Sequence, residues 1–318
     1  MTRPWPTTID YSPWVLPLRR PVIVAASTEP LHERRGVLVR VTSTDPDRPV
    51  AMYGDACPLP GLSHDGHDDV VANFMKPFVP QRRPASLDWA LYAAHCWSAE
   101  PCTPKTALLL DDDLDALHTI ADGATVKLKV GRRPLVDDLA RVAAVTDVVR
   151  AKHGRLRLDG NRPLDVEAAV AIAAVAKDVL EFFEEPTIVS KLKQLPSAFP
   201  LALDEWFDEL RVRGGVAKLP RAKAWVIKPT VLGADVTLEI VRAAAGAKIA
   251  VIVSSAYESS VGRQALACFA RYIDTMLRRN KNDGDIDGGV VHGLGTGPAF
   301  ERDLDLTALD TLSWTRWT

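Results

Sequence analysis

The stretch Thr125-Val-Lys-Leu-Lys-Val-Gly131 sets two lysines two residues apart in a β-branched, apolar segment. Residues two apart on a strand point the same way, so Lys127 and Lys129 share one face while Val126, Leu128 and Val130 take the other. Two ammonium groups side by side repel, and a buried strand keeps them only where an anion or a chemical step requires them. Taken alone, the stretch also fits an edge strand that shows its lysines to water. Downstream, four more apolar runs each end in an ionisable residue: Leu156-Arg-Leu-Asp-Gly-Asn161, Leu180-Glu-Phe-Phe-Glu-Glu-Pro186, Leu201-Ala-Leu-Asp-Glu-Trp206 and Trp225-Val-Ile-Lys-Pro229.

Asp159, Glu184 and Asp204 make three carboxylates with no histidine or cysteine companion. Hard oxygen donors of this kind select Mg²⁺, with Mn²⁺ as the next choice. Any one of them alone is better explained as a cap on the following helix. Three in register repel and raise one another's pKa, a cost that a divalent cation removes. Arg157 and Asn161 have the parity of Asp159 and face the same side. For Lys129 or Lys228 to accept a proton near neutrality, its pKa must fall from about 10.4 toward 7 or 8, roughly 4 kcal/mol of bias against its charge. Metal plus base is the arrangement that takes a proton from carbon next to a carboxylate, since the cation stabilises the charge that builds on the oxygens.

These residues need a scaffold that delivers strand ends to one place. Asp159 to Glu184 is 25 residues, Glu184 to Asp204 is 20 and Asp204 to Lys228 is 24. Each step is about one strand plus one helix of a (β/α) barrel, whose active site lies at the carboxyl ends of the strands. Seven or eight such units are expected from about Lys105 onward. Leu135 to His153 has helical apolar spacing stopped by Gly154, Asp165 to Lys177 is an alanine-rich helix, and Thr230 to Ala247 is a third. Ile249 to Ser255 reads as a fully buried parallel strand.

Residues 1–103 differ. Val15 to Val24 and Arg35 to Val41 read as sheet, with a loop from Ala25 to Glu33 between them. Tyr53 to Gly61 reads as a turn-rich connection, and Asp69 to Phe78 and Ser86 to Trp97 as helices. The expected fold is α/β, a TIM-type barrel over 104–292 with an α+β capping domain over 1–103 that the tail 293–318 completes. Loops Ala25 to Glu33 and Cys57 to Ser63 are expected to close over the barrel mouth.

Three further stretches carry weaker signals. Asp111-Asp-Asp-Leu-Asp115 either caps a helix or binds metal, and capping is the simpler reading. Asp283 to Gly288 resembles the start of a calcium loop, but the twelfth position is Leu294 where a bidentate Glu is needed. His292-Gly-Leu-Gly-Thr-Gly297 meets neither the Rossmann nor the P-loop spacing and reads as tight turns near the mouth.

With 318 residues, 47% hydrophobic and 25% charged, the chain has the composition of a globular protein with a sizeable core. A formal net charge of −2 gives no basis for nucleic acid or an anionic membrane as partner. No secretory signal and no long apolar run is present, so a cytoplasmic protein is expected. The scattered Cys57, Cys96, Cys102 and Cys268 are expected to be reduced. The sequence leaves the oligomeric state open, a monomer included.

Together the KxK of Lys127 and Lys129, the DxN of Asp159 to Asn161, the EEP of Glu184 to Pro186, the DE of Asp204 and Glu205 and the KP of Lys228 and Pro229 resemble the enolase superfamily, muconate-lactonising subgroup. Within it they are similar to the o-succinylbenzoate synthase family, as are Leu18 to Pro21, Tyr53 to Gly61, Val226 to Thr230 and Ser254 to Ser260. The resemblance covers nearly the whole chain. It implies Asp159, Glu184 and Asp204 as Mg²⁺ ligands, Lys129 as general base and acid, and Lys228 as the cation opposite. It implies a small-molecule carboxylate substrate, with Ser254 on its succinyl carboxylate; Lys127, Arg157 and Asn161, on the same inward faces, are further substrate-binding candidates. Trp206 stands where serine is usual, and Gly160 where alanine is commoner. N-acylamino acid racemases use the same two lysines and are the alternative. Dipeptide epimerases typically carry Asp-x-Asp on the last barrel strand, which Gly288 to His292 lacks.

Overall fold

The computed structural model describes residues 7–24, 29–43, 50–77, 83–110, 114–209, 219–279 and 290–318. The first sheet is antiparallel, built from β1 (Thr7–Val22), β2 (Leu31–Ser43), β3 (Ala51–Ala56) and β11 (Thr315–Arg316) in the order β11-β1-β2-β3. Trp14, Leu16 and Leu18 are buried while Val15 between them is 49% exposed, so at this end of β1 only one face is covered. Helices α1 (His67–Phe74) and α2 (Ala85–Ala94) cover the other face, where Val37, Val39 and Val41 meet Phe74, Leu87, Ala90 and Trp317.

Strand β3 corrects the reading of Tyr53 to Gly61 as turns throughout. Tyr53 to Ala56 pair with β2, and the turns begin only beyond them. Gly54 is in the strand because α2 crosses it: a Cβ there would lie 1.9 Å from the Ala90 carbonyl oxygen. Glycine marked close approach of two backbones here, not a turn.

The second sheet is parallel and runs β10-β9-β8-β7-β6-β5-β4. Its strands are β4 (Leu108–Leu110), β5 (Thr125–Lys129), β6 (Arg155–Asp159), β7 (Leu180–Glu184), β8 (Leu201–Leu203), β9 (Ala224–Ile227) and β10 (Ala250–Val253). His292 and Gly293 close it into a barrel, by a parallel bridge from Thr106 to His292 and another from Ser254 to Gly293. The His292–Gly297 stretch thus begins as the barrel's short eighth staves rather than as turns alone. This is the TIM-type barrel with an α+β cap expected from the sequence.

Helices α3 (Leu135–Ala151), α4 (Val166–Val175), α5 (Pro229–Leu232), α6 (Ala234–Ala247) and α7 (Ser260–Arg279) surround the strands. Asp165 is the N-cap of α4, its carboxylate accepting from Ala168 N at 2.7 Å. The single helix expected over Thr230 to Ala247 is two, broken at Gly233. Val126, Leu128, Leu156, Leu158 and Phe183 face outward under α3 and α4 with no measurable exposure. Each such burial is worth about 1.5–3 kcal/mol against an exposed side chain, which fixes the opposite strand face inward. Asp111 to Asp113 and Asp283 to Gly288 lie outside the described residues, and Asp115–Thr119 is a 3₁₀ turn. Among the described residues no helix is long and apolar enough to cross a membrane.

Candidate active site

Inward-facing residues of the barrel form two layers. The lower one is apolar across β7 to β10, with Phe182, Ala202, Val226 and Ile252 in contact. Two residues further along the same strands stand Glu184, Asp204, Lys228 and Ser254. Strand register makes Lys129, Asp159 and Glu184 lateral neighbours, through the pairs Lys129↔Asp159 and Asp159↔Glu184. The lysines of β5 are therefore on an inner strand facing the barrel axis, not on an edge strand facing water.

Lys127, Lys129, Asp159, Asn161, Asp204, Lys228 and Ser254 line one pocket of about 820 Å³, counting the part open to solvent. Val22, Ile23, Val24, Leu59 and Leu62 of the cap form its apolar roof. The loop from Cys57 to Ser63 therefore reaches the mouth as expected, whereas Ala25 to Thr28 lie outside the described residues. Glu184 sits just beneath the pocket, its Oε2 accepting from Lys127 Nζ at 2.5 Å. Lys127 is also 3.0 Å from Asp159 Oδ2, and Lys228 is hydrogen-bonded to Asp204 Oδ1.

Arg157 has the expected parity but belongs to the lower layer, which corrects its reading as a substrate-binding candidate. Its guanidinium pairs with Glu181 at 2.7 Å, donates to the Val291 carbonyl at 2.8 Å and lies over the Phe182 ring. Nothing of it lines the pocket. Parity reports the face of a strand, not height along the barrel axis.

The electrostatics separate the two lysines of β5. Burial pulls Lys127 down, but Asp159, Glu184 and Asp204 outweigh it and hold its pKa well above the ordinary lysine value. Lys129 moves the other way: burial, with Arg132, Lys127 and Lys228 nearby, outweighs Asp159 and lowers its pKa. Burial also opposes the charge of Asp159, yet Lys127, Lys129 and Lys228 bring it down to about 2. Glu184 goes up to about 7, because burial and the other two carboxylates outweigh Lys127.

Sequence reasoning singled out no role for several groups present here. Glu205, in the DE pair, lines the pocket and accepts from Asn161 Nδ2 at 2.8 Å. Glu185, in EEP, accepts from the backbone of Asp204 and Trp206 at 2.8 and 2.6 Å and so holds the Asp204 turn. Trp206 thus meets this site through its backbone N–H, which any side chain at that position supplies. Gly160 has a steric reason, since a Cβ would lie 2.5 Å from Pro186 Cα. Ser255, Tyr257 and Thr296 complete the wall. Asn161, Arg162 and Tyr257 hold positive φ of 48°, 74° and 60° at this rim.

As the side chains stand, no three His, Cys, Asp or Glu among the described residues converge on a point that would hold a metal ion. Lys127 and Lys228 are turned onto the carboxylates and neutralise them. The donors nevertheless fit a hard divalent cation in type, and Asp159 Oδ1 is buried with no hydrogen-bond partner.

Residues 115–287 match the enolase C-terminal domain-like family. The chain belongs to that family. Protein PHYLLO, chloroplastic, of Arabidopsis thaliana is 30% identical over 237 residues, which are 67% of this chain and only 14% of the plant protein. The o-succinylbenzoate synthase of Edwardsiella ictaluri (strain 93-146) is 27% identical over 276 residues, 79% of this chain and 82% of that one. Among solved structures, o-succinylbenzoate synthase from Thermosynechococcus elongatus BP-1, complexed with Mg in the active site, superposes with a TM-score of 0.66 at 18% identity, covering 96% of this chain and 97% of that one. The L-Ala-D/L-Glu epimerase from Bacillus subtilis gives 0.66 at 20% identity, covering 93% and 91%. At such identities the structural likeness shows the fold alone, and the family rests on the match over residues 115–287.

Proposed function

We propose that this chain is an o-succinylbenzoate synthase that dehydrates 2-succinyl-6-hydroxy-2,4-cyclohexadiene-1-carboxylate to 2-succinylbenzoate on the route to menaquinone or phylloquinone. The observation that carries the reading is Lys129, a half-buried lysine of lowered pKa in the same pocket as Lys228. In this reading Lys129 Nζ takes the proton from the ring carbon that bears the carboxylate. It then returns a proton to the hydroxyl leaving from the same face, so water departs and the ring becomes aromatic. Lys228 stays an ammonium and stabilises the negative charge across the ring, partly as a cation over a π-system. Asp159, Glu184 and Asp204 would hold Mg²⁺, or Mn²⁺ in its place. A cation bound there supplies several kcal/mol of stabilisation to the charge that builds on the substrate carboxylate. Lys127 favours the ionised form of Asp159 by its own charge, while Asn161 and Ser254 offer hydrogen bonds to the substrate's polar ends.

Curated relatives of similar length carry the synthase name, which supports this substrate class. A second reading, racemisation of N-acylamino acids, is favoured by one observation: both lysines front a single pocket, as two-base proton transfer needs. Incubation of the protein with the cyclohexadiene substrate and Mg²⁺ tests the first reading by the ultraviolet absorbance of the aromatic product. Solvent-deuterium exchange into both enantiomers of an N-succinylamino acid, with no aromatic product formed, would replace it with the second. Chelation should abolish the dehydration and Mg²⁺ restore it.

A further inference from the structure

On the outer side of the barrel, away from the pocket, the Cys268 thiol donates to Cys102 Sγ at 2.7 Å. The two residues are 166 apart in sequence. Cys102 lies in the segment that joins α2 to β4, and Cys268 lies on α7. One side chain of that helix already holds the segment in place. Gln264 Nε2 donates to the carbonyls of Ser98 and Glu100 at 3.0 and 2.7 Å, and its Oε1 accepts from Cys102 N at 3.4 Å. Gln264 and Cys268 are four apart and share a helix face, so the clamp that fixes the Cys102 backbone also brings its sulfur onto Cys268.

From these contacts we infer that Cys102 and Cys268 are a dithiol site that a small-molecule disulfide oxidises to a reversible Cys102–Cys268 cross-link. The site opens onto a surface hollow of about 770 Å³, counting the part open to solvent, lined by Cys96, Glu100, Arg271, Tyr272 and both thiols, so a reagent such as oxidised glutathione can enter. Cys102 is half-buried and has Arg271 Nη1 3.7 Å from its sulfur, a cation beside any charge that forms there. Cys268 is buried, and burial together with the hydrogen bond to Cys102 pushes its thiol up to about 12. Cys102 is therefore the attacking group and Cys268 the resolving one.

In the first step the Cys102 thiolate attacks one sulfur of the small disulfide. That S–S bond breaks, one small thiol leaves and takes up a proton, and Cys102 carries the mixed disulfide. Cys268 then releases its proton to solvent and attacks Cys102 Sγ, which forms the protein disulfide and expels the second small thiolate. Two protein thiols are oxidised and one small disulfide is reduced to two thiols. The second step is intramolecular between sulfurs already in contact, so it outruns a second attack from solution. The bond ties the connection between cap and barrel to α7, and it closes a long loop of the unfolded chain.

The full-length protein, reduced and then exposed to oxidised glutathione, gives the test. The thiol titre after unfolding should drop from the four cysteines of the sequence to two. Non-reducing peptide mapping should find Cys102 joined to Cys268 with the mass lowered by two hydrogens, and the melting temperature should rise by roughly 5 °C. Cys96→Ser should leave the cross-link intact, and Cys268→Ser should stop the reaction with one glutathione on Cys102. Four surviving thiols, a cross-link to Cys96 or Cys57, or a wild-type product that stays a mixed disulfide would each overturn the inference.

Discussion

Replacing Arg34 by methionine tests how the cap is held over the barrel. This side chain is 1% exposed, and its guanidinium donates to Cys57 O, Cys57 Sγ and Pro58 O at 3.1, 2.9 and 3.0 Å on the cap side. On the barrel side it donates to Ala256 O and Tyr257 O at 3.3 and 3.2 Å. Both loops reach the pocket, through Leu59 on one side and Ser255 and Tyr257 on the other. A hydrogen bond from a charged donor contributes about 1.5–3 kcal/mol, and a buried carbonyl left without its partner costs about 1–3 kcal/mol. Against this, methionine removes the cost of burying a guanidinium, itself several kcal/mol. With the carbonyls of Cys57, Pro58, Ala256 and Tyr257 each losing a donor, the balance is a net loss of about 3–5 kcal/mol. At this chain length that lowers the melting temperature by roughly 5–10 °C. If even 1.4 kcal/mol of it loosens the two pocket loops, kcat/KM for the cyclohexadiene substrate falls about tenfold. Arg34→Lys should fall between, since an ammonium keeps the charge but cannot span both loops with a planar fork. Thermal melts and steady-state kinetics would decide. A methionine variant that melts within about 1 °C of wild type and keeps its kcat/KM would refute the clamp.

Lys129→Arg should lose essentially all dehydration, because a guanidinium does not deprotonate near neutrality, whereas Lys228→Arg should retain a measurable fraction; equal losses in single-turnover assays would remove the unequal roles. Asp55 is fully buried, and burial raises its pKa from 3.8 to about 6 despite hydrogen bonds from Trp14 and Ser259. The folded state thus holds that proton more tightly than the unfolded one, so its contribution is complete below pH 4 and about 3 kcal/mol is lost as pH rises through 6. Urea melts of Asp55→Asn across pH 4–7 should lack this decline, and curves parallel to wild type would count against it. Gly54→Ala drives a methyl into the Ala90 carbonyl, where neither backbone can yield cheaply, and should destabilise by about 3 kcal/mol or more; an unchanged melting temperature would show that α2 does not cross β3 so closely.

The sequence alone determined which side chains share a face. A strand has a period of two set by its own dihedral angles, so the inward set of Lys127, Lys129, Asp159, Glu184, Asp204 and Lys228 was legible without knowing any neighbour. Helices α3 and α4 were legible for the same reason, their apolar spacing being a local property. What lies along the barrel axis, or between distant segments, was not. Arg157 was on the right face but is held out of the pocket by Glu181 and the Val291 carbonyl, partners on other segments that no pattern within β6 names. Gly54 misled because the residue that forbids a side chain there, Ala90, belongs to another element. His292 and Gly293 close the barrel through one bridge each, too short a span to carry any periodicity. Glu185 and Glu205 stood in quoted motifs, yet their partners come from other strand ends. The meeting of Cys102 with Cys268 depends on how the connection between the two sheets lies along α7. Local geometry repeats and can be read from spacing, whereas register, closure and the meeting of remote segments are set only when the whole chain packs.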